Sequence, residues 1–240
     1  MSLRIDDRFK AILGATDRET LLTEVLRFTR HLGFTTVNAT AVHDQPLDDV
    51  QFAWVSNTPS AYAQLADDVL YAKGDPVAQH CRHRGVPIVW DQSTYATAGH
   101  GARWEAQAQF GYCTGIALAL HMPRGQHFFI GVDRDQRLPS DGEELSRLTA
   151  DLQLFAAHAQ EAALRILLPQ VIELACPELT VRELECLRWT MEGKSAWEVG
   201  RILSISEQTA VRHLNNATKK LDCVNKHHAI VKAMRFGLIS

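Results

Sequence analysis

Residues 207–221 carry side chains with a specific chemistry. Placed on a helix at about 100° per residue, Gln208, Arg212, Asn215, Asn216 and Lys219 fall on one side, with Thr209 and Val211 at its flanks. Amides and a guanidinium in that arrangement can hydrogen-bond base edges in a major groove, and Lys219 with Lys220 can meet phosphate near the helix end. Ala210, Leu214, Ala217 and Leu221 fall on the opposite side and are expected to face a core. Other chemistries lack their residues. The chain has no Gly-x-Ser-x-Gly elbow, phosphate-binding loop, dinucleotide fingerprint or zinc spacing, so an enzyme is not expected and no cofactor is implied. His80, Cys81 and His83 lie close together, but no second ligand pair follows, and they read as part of a surface helix.

A reading helix needs a frame to present it. Thr180 followed by Glu183 is a capping box opening a helix with the stripe Leu184, Leu187 and Met191, which runs to Gly193. A second helix spans Ser195 to Leu203, and the tight turn Ser204-Ile205-Ser206 leads into the third, with Ser206 as its cap. This spacing predicts a four-helix, helix-turn-helix module over residues 179–240. Charge supports the division. From Leu174 onward ten Lys and Arg face seven acids, whereas the whole chain carries a net charge of −3. One basic module on an otherwise acidic chain is the asymmetry expected when only that module meets nucleic acid.

The preceding two thirds read as mixed α and β. A helix is predicted over 17–31, with Leu21, Leu22, Val25 and Phe28 at helical spacing, and Gly33 ends it. Residues 34–42 and 50–56 form a predicted hairpin around Asp44, Gln45 and Pro46. Helices are expected over 59–70, over 77–84 behind Asp75-Pro76, and over 103–110. Residues 115–122 and 127–132 flank Pro123-Arg124-Gly125 as a second hairpin, and a long amphipathic helix follows, capped at Ser140 and Asp141. The expected class is α+β: an α-β-α sandwich with an antiparallel sheet over 1–168, a linker over 169–178 around Pro169 and Pro177, then the helical module. Five scattered cysteines fit a reducing cytoplasm, and the chain lacks the roughly 18-residue apolar run of a membrane span.

The carboxyl-terminal residues resemble the LuxR-type helix-turn-helix. Leu179, Glu183, Leu187, Trp189 and Gly193, then Glu198, Ile202, Ser206, Thr209, His213 and Asn216, then Lys220, Asn225 and Lys226 carry the likeness; Glu183, Leu187 and Gly193 match signature positions. Arg212 and Ala210 depart from the family's aromatic residue and valine. The resemblance extends to the quorum-sensing members, whose α-β-α domain binds an N-acyl homoserine lactone. It implies pocket positions at Tyr62 (usually Trp), Ala66 (usually Tyr), Asp75, Pro76, Trp90 and Gly115. Asp75 would accept from the ligand amide, Trp90 would wall the pocket, and Tyr62 would donate to the lactone carbonyl. Ala66 donates nothing. Thr58 is a shorter donor than the tyrosine frequent there, and Gly131 replaces a hydroxyl residue, so more room and fewer donors are expected. Phe52, Trp54, Val77, Ile88, Phe110, Leu118, Phe128 and Ile130 are candidates for the acyl-chain wall or the ordinary core. The resemblance implies a cytoplasmic, homodimeric, ligand-responsive regulator of double-stranded promoter DNA that engages RNA polymerase if it activates, with no membrane partner. The alternative is a regulator of the same type that answers a non-lactone signal, for example plant-derived, or none.

Overall fold

The computed structural model describes residues 7–44, 50–62, 74–169 and 178–239. Their contacts divide the chain into two compact units, the second taking in Leu174–Ser240.

In the first unit α1 (Asp7–Leu13) and α2 (Arg18–His31) precede the hairpin β1 (Thr36–His43) and β2 (Gln51–Ser56). Asp17 accepts from Thr20 N and Thr20 returns the bond, a capping box that starts α2. Gly33 ends the turn behind it at φ +83°, a left-handed conformation costly for other residues. Then come α3 (Pro76–His83), β3 (Ile88–Trp90), α4 (Gln92–Thr97) and α5 (Gly101–Ala108). The second hairpin, β4 (Thr114–Met122) and β5 (Gln126–Arg134), and the long α6 (Gly142–Leu167) complete the unit. Helices α1 and α4 and strand β3, each seven residues or fewer, are too short for periodicity to register in the sequence. The helix expected over 59–70 has residues 60–62 helical, and its remainder lies outside the described residues.

All strand pairs are antiparallel, in the order β2-β1-β5-β4-β3. Because side chains alternate along a strand, the register sorts the sheet into two faces. One carries Val37, Ala39, Ala41, Phe128, Ile130, Val132, Ile116 and Leu118, which pack with Leu21, Val25, Phe28, Leu152 and Phe155 of α2 and α6. Phe28 and Phe155 stack there with centroids 4.0 Å apart. Each such side chain contributes about 1.5–3 kcal/mol on burial. Leu118, Phe128 and Ile130 therefore belong to the ordinary core. The other face presents Thr36, Asn38, Gly115, Ala117, Ala119, Phe129, Gly131 and Asp133. Helix α3 packs over its β3–β4 end.

In the second unit α7 (Val181–Met191), α8 (Ala196–Leu203), α9 (Glu207–Lys220) and α10 (Lys226–Arg235) enclose Cys186, Leu187, Val199, Ala210, Leu214, Ala217, Leu221, Ala229 and Ile230. Thr180 with Glu183 and Ser195 with Glu198 form capping boxes, while Ser206 and Asn225 cap α9 and α10. The turn after α8 is tight: a Cβ on Gly200 would lie 2.9 Å from Ile205 O, and Ser204 takes the left-handed conformation at φ 55°.

Candidate ligand pocket and nucleic-acid interface

The second sheet face gathers most of the pocket residues expected from the sequence. Asp75 caps α3, its Oδ1 accepting from Val77 N at 2.8 Å and Ala78 N at 2.9 Å. Its Oδ2 is left for other partners, and takes a hydrogen bond from Tyr95 Oη at 3.1 Å and an ion pair with Arg103 Nε at 3.3 Å. One oxygen of the carboxylate thus caps the helix while the other meets Tyr95 and Arg103. Burial, reinforced by the Asp75 charge, pushes the Tyr95 phenol far above its ordinary pKa, so it stays a proton donor.

Trp90 meets Tyr95 edge to face at 5.7 Å and sits over Gly115. A Cβ on Gly115 would lie 2.4 Å from Val132 O, 2.8 Å from Asp133 Oδ1 and 2.8 Å from Trp90 Cε2. No side chain fits there. By contrast, among the described residues a Cβ on Gly131 would meet only Ala117 Cβ, at 4.0 Å. Tyr62 stacks on Tyr112 at 4.3 Å and tilts against Phe110 at 5.6 Å. Tyr112 Oη donates to Thr58 Oγ1 at 3.0 Å, and Thr58 is in turn bonded to Ser56 Oγ. Val77, Ile88, Trp104 and Phe110 pack around this aromatic group, whereas Phe52 and Trp54 stand exposed on β2 at 60% and 46%. Ala66 lies outside the described residues.

Several polar groups here were missed by the sequence analysis. Gln107 is 2% exposed, and its Oε1 accepts from Tyr62 Oη at 3.5 Å. Asp133 is 8% exposed; burial, together with the Asp75 charge and against the Thr36 hydroxyl, leaves its carboxyl pushed up to about 8. Signals existed: Arg103 and Gln107 are four apart on one predicted helix, and strand alternation puts Asp133 on the face of Gly131. What was missing was knowledge of which side of each element meets the pocket. Cys81 is buried on the same side, its thiol raised to about 11 by burial and Asp75, and His80 Nε2 donates to Val86 O at 2.7 Å. Among the described residues no cluster could hold a metal.

On the second unit Gln208, Arg212, Asn215, Asn216 and Lys219 are all exposed on α9, while Ala210, Leu214 and Ala217 are buried. Thr209 is half-buried and bonded to the Ser206 hydroxyl at 2.8 Å. Lys220 turns elsewhere: its Nζ reaches Glu183 Oε2 at 2.9 Å and Glu178 O at 3.3 Å. Burial raises the pKa of Glu183, but Lys220 and the Thr180 amide outweigh it and hold the carboxylate below its ordinary value. Glu183 therefore ties the start of α7 to the end of α9.

A buried, polar and aromatic pocket in one unit and an exposed amide and guanidinium face on a helix-turn-helix in the other define a ligand-sensing transcription regulator. The chain belongs to the LuxR family of such regulators. Residues 17–163 match the autoinducer binding domain, and residues 177–233 match the bacterial regulatory proteins of the luxR family. It is 30% identical over 233 residues to the transcriptional activator protein SolR of Ralstonia solanacearum, covering 97% of this chain and 98% of that protein. The transcriptional activator protein AhyR of Aeromonas hydrophila is 28% identical, over 94% of this chain and 88% of its own length. Among solved structures, Escherichia coli SdiA matches with a TM-score of 0.70 at 26% identity, covering 96% of this chain and 94% of that one. A structure of SdiA with octanoyl-rac-glycerol matches with a TM-score of 0.70 at 25% identity, covering 99% and 98%. The family regulates transcription and is not an enzyme family. Among the described residues no helix is long and apolar enough to cross a membrane.

Proposed function

We propose that this protein is a cytoplasmic, homodimeric regulator that binds an N-acyl homoserine lactone in the pocket beneath Asp75 and promoter DNA through α9. The position of Asp75 carries the reading. Its Oδ2 is bonded to Tyr95, which packs in one aromatic cluster with Trp90 and Tyr62, and a charge-assisted bond from an amide N–H to Oδ2 would anchor an otherwise neutral ligand there. Thr58, Val77 and Phe110 would complete the wall, and Gly131, with no side chain, would leave room for an acyl chain. The match to SdiA with an octanoyl ester supports an acyl ligand. Gln208, Thr209, Arg212, Asn215, Asn216 and Lys219 would read a half-site, and two such helices a palindrome. Leu154, 50% exposed on α6, offers an apolar contact to a partner protomer. The relatives' naming as activators supports engagement of RNA polymerase.

Lactones of graded acyl length, added to the purified protein, should raise its melting temperature, since ligand at 100 times its Kd adds about 2.7 kcal/mol. No rise at any length would exclude the lactone. Arg103, a half-buried cation paired with Asp75 and unlike an acyl-chain wall, favours a second reading in which the signal is a more polar, non-lactone molecule. Mass spectrometry of ligand extracted from protein made in its native host separates the two.

A further inference from the structure

We propose that Gln107 is the donor that takes the head-group carbonyl of the ligand, with Tyr62 acting through it as a positioning residue. This deepens the reading above and rests on it.

Gln107 lies on α5 between the two ends of the polar pocket. On one side its Oε1 accepts from Tyr62 Oη at 3.5 Å; on the other stands Tyr95, whose own hydroxyl proton is given to Asp75 Oδ2 at 3.1 Å. Gln107 pulls the Tyr95 pKa downward, as a weakly placed donor does, but its Nε2 makes no hydrogen bond of ordinary geometry. That amide nitrogen is buried in a side chain 2% exposed. A buried NH2 without an acceptor is costly, and folded proteins retain such groups mainly where a ligand or water supplies the missing acceptor. With Oε1 against the Tyr62 hydroxyl, the nitrogen lies on the side of the amide away from Tyr62.

The chemistry of the occupant follows. Asp75 offers an acceptor and Gln107 a donor within one wall, so the matching molecule carries an N–H and a carbonyl separated by one carbon in its head group. An acylated amino lactone meets that requirement. Asp75 would take the amide N–H, Gln107 Nε2 the ring carbonyl, and Tyr62 would hold the Gln107 amide rather than touch the ligand.

The test uses the full chain and two probes, N-octanoyl homoserine lactone and N-octanoyl cyclopentylamine, which lacks the ring carbonyl. Gln107→Met keeps length and volume without the donor, and its melting temperature without ligand should equal or exceed that of the wild type. Its affinity for the lactone should fall about 10- to 100-fold, while both proteins bind the cyclopentylamine equally. Gln107→Glu, which presents two acceptor oxygens, should lose at least as much and serves if the methionine variant folds poorly. Tyr62→Phe should give a smaller loss that disappears in the Gln107→Met background. Wild type and Gln107→Met binding the lactone within about twofold of each other would overturn the Gln107 assignment alone. Wild type binding neither probe would overturn the lactone reading and this assignment with it.

Discussion

Two buried acids resolve their burial in opposite ways. Glu183 remains an anion because Lys220 and the Thr180 amide meet it, whereas Asp133 meets the Thr36 hydroxyl and faces the charge of Asp75. The folded state therefore holds a proton on Asp133 that the unfolded chain releases at an ordinary carboxyl pKa of 3.8. By linkage, stability falls as pH rises from there to about 8, where the folded group ionises. Asp133→Asn should flatten that decline, so its gain in melting temperature over the wild type should grow between pH 5 and pH 8. A gain independent of pH would mean that Asp133 does not titrate across this range. At the DNA face, Arg212→Ala and Lys219→Ala should weaken promoter binding without changing the melting temperature, and Lys219→Ala should lower the salt slope of binding by about one if it meets phosphate. Asp75, Trp90 and Tyr62 were legible in the sequence through a family resemblance. Arg103, Gln107 and Asp133 were not, because a polar residue on a helix or strand gives no sign of whether its neighbours are water or aromatic rings.

At the scale of elements, the ends were easier to read than the pairings. Asp75, Thr180 and Ser206 each precede a helix and accept from its first turn, a local bond that needs only residues two or three apart. The α8–α9 turn was also legible, but its tightness depends on Gly200, whose role appears only once Ile205 folds back over it. Gly200→Ala should destabilise the helix-turn-helix by about 1–3 kcal/mol through overpacking, measured by chemical denaturation. The link between α7 and α9 is likewise tertiary. Lys220→Met removes the charge partner of Glu183, whose side chain is 4% exposed; because Lys220 itself is 41% exposed, the expected loss is modest, about 1–2 kcal/mol. Reading Lys220 from sequence as a phosphate contact follows from its place beside Lys219 at the helix end. Its partner Glu183 lies 37 residues away, beyond the reach of any local pattern.

For the whole molecule, a sensor unit with its own core and a DNA-binding unit with another suit a protein that converts a chemical signal into occupancy of a promoter. The proposed dimer makes a geometric prediction: an inverted repeat with half-site centres about 10 base pairs apart, or a multiple of that, should bind two chains, as sedimentation would report. One chain per palindrome would remove the dimer from the proposal. Phe155→Ala, which opens the stack with Phe28 beneath the sheet, should cost about 3–5 kcal/mol in the sensor while leaving the exposed face of α9 intact. The sequence by itself determined the helix caps at Asp75, Thr180 and Ser206, the two hairpins, and the helix-turn-helix with its apolar and polar sides. These rest on periodicity and on bonds between residues a few positions apart. Only the tertiary structure decided that β1 pairs with β5, that Phe128 and Ile130 face the helices while Phe129, Gly131 and Asp133 lie on the opposite face, and that Gln107 comes to lie between Tyr62 and Tyr95. The physical reason is that burial and pairing between distant segments belong to the packed chain, and the same glutamine on an open helix would simply be solvated.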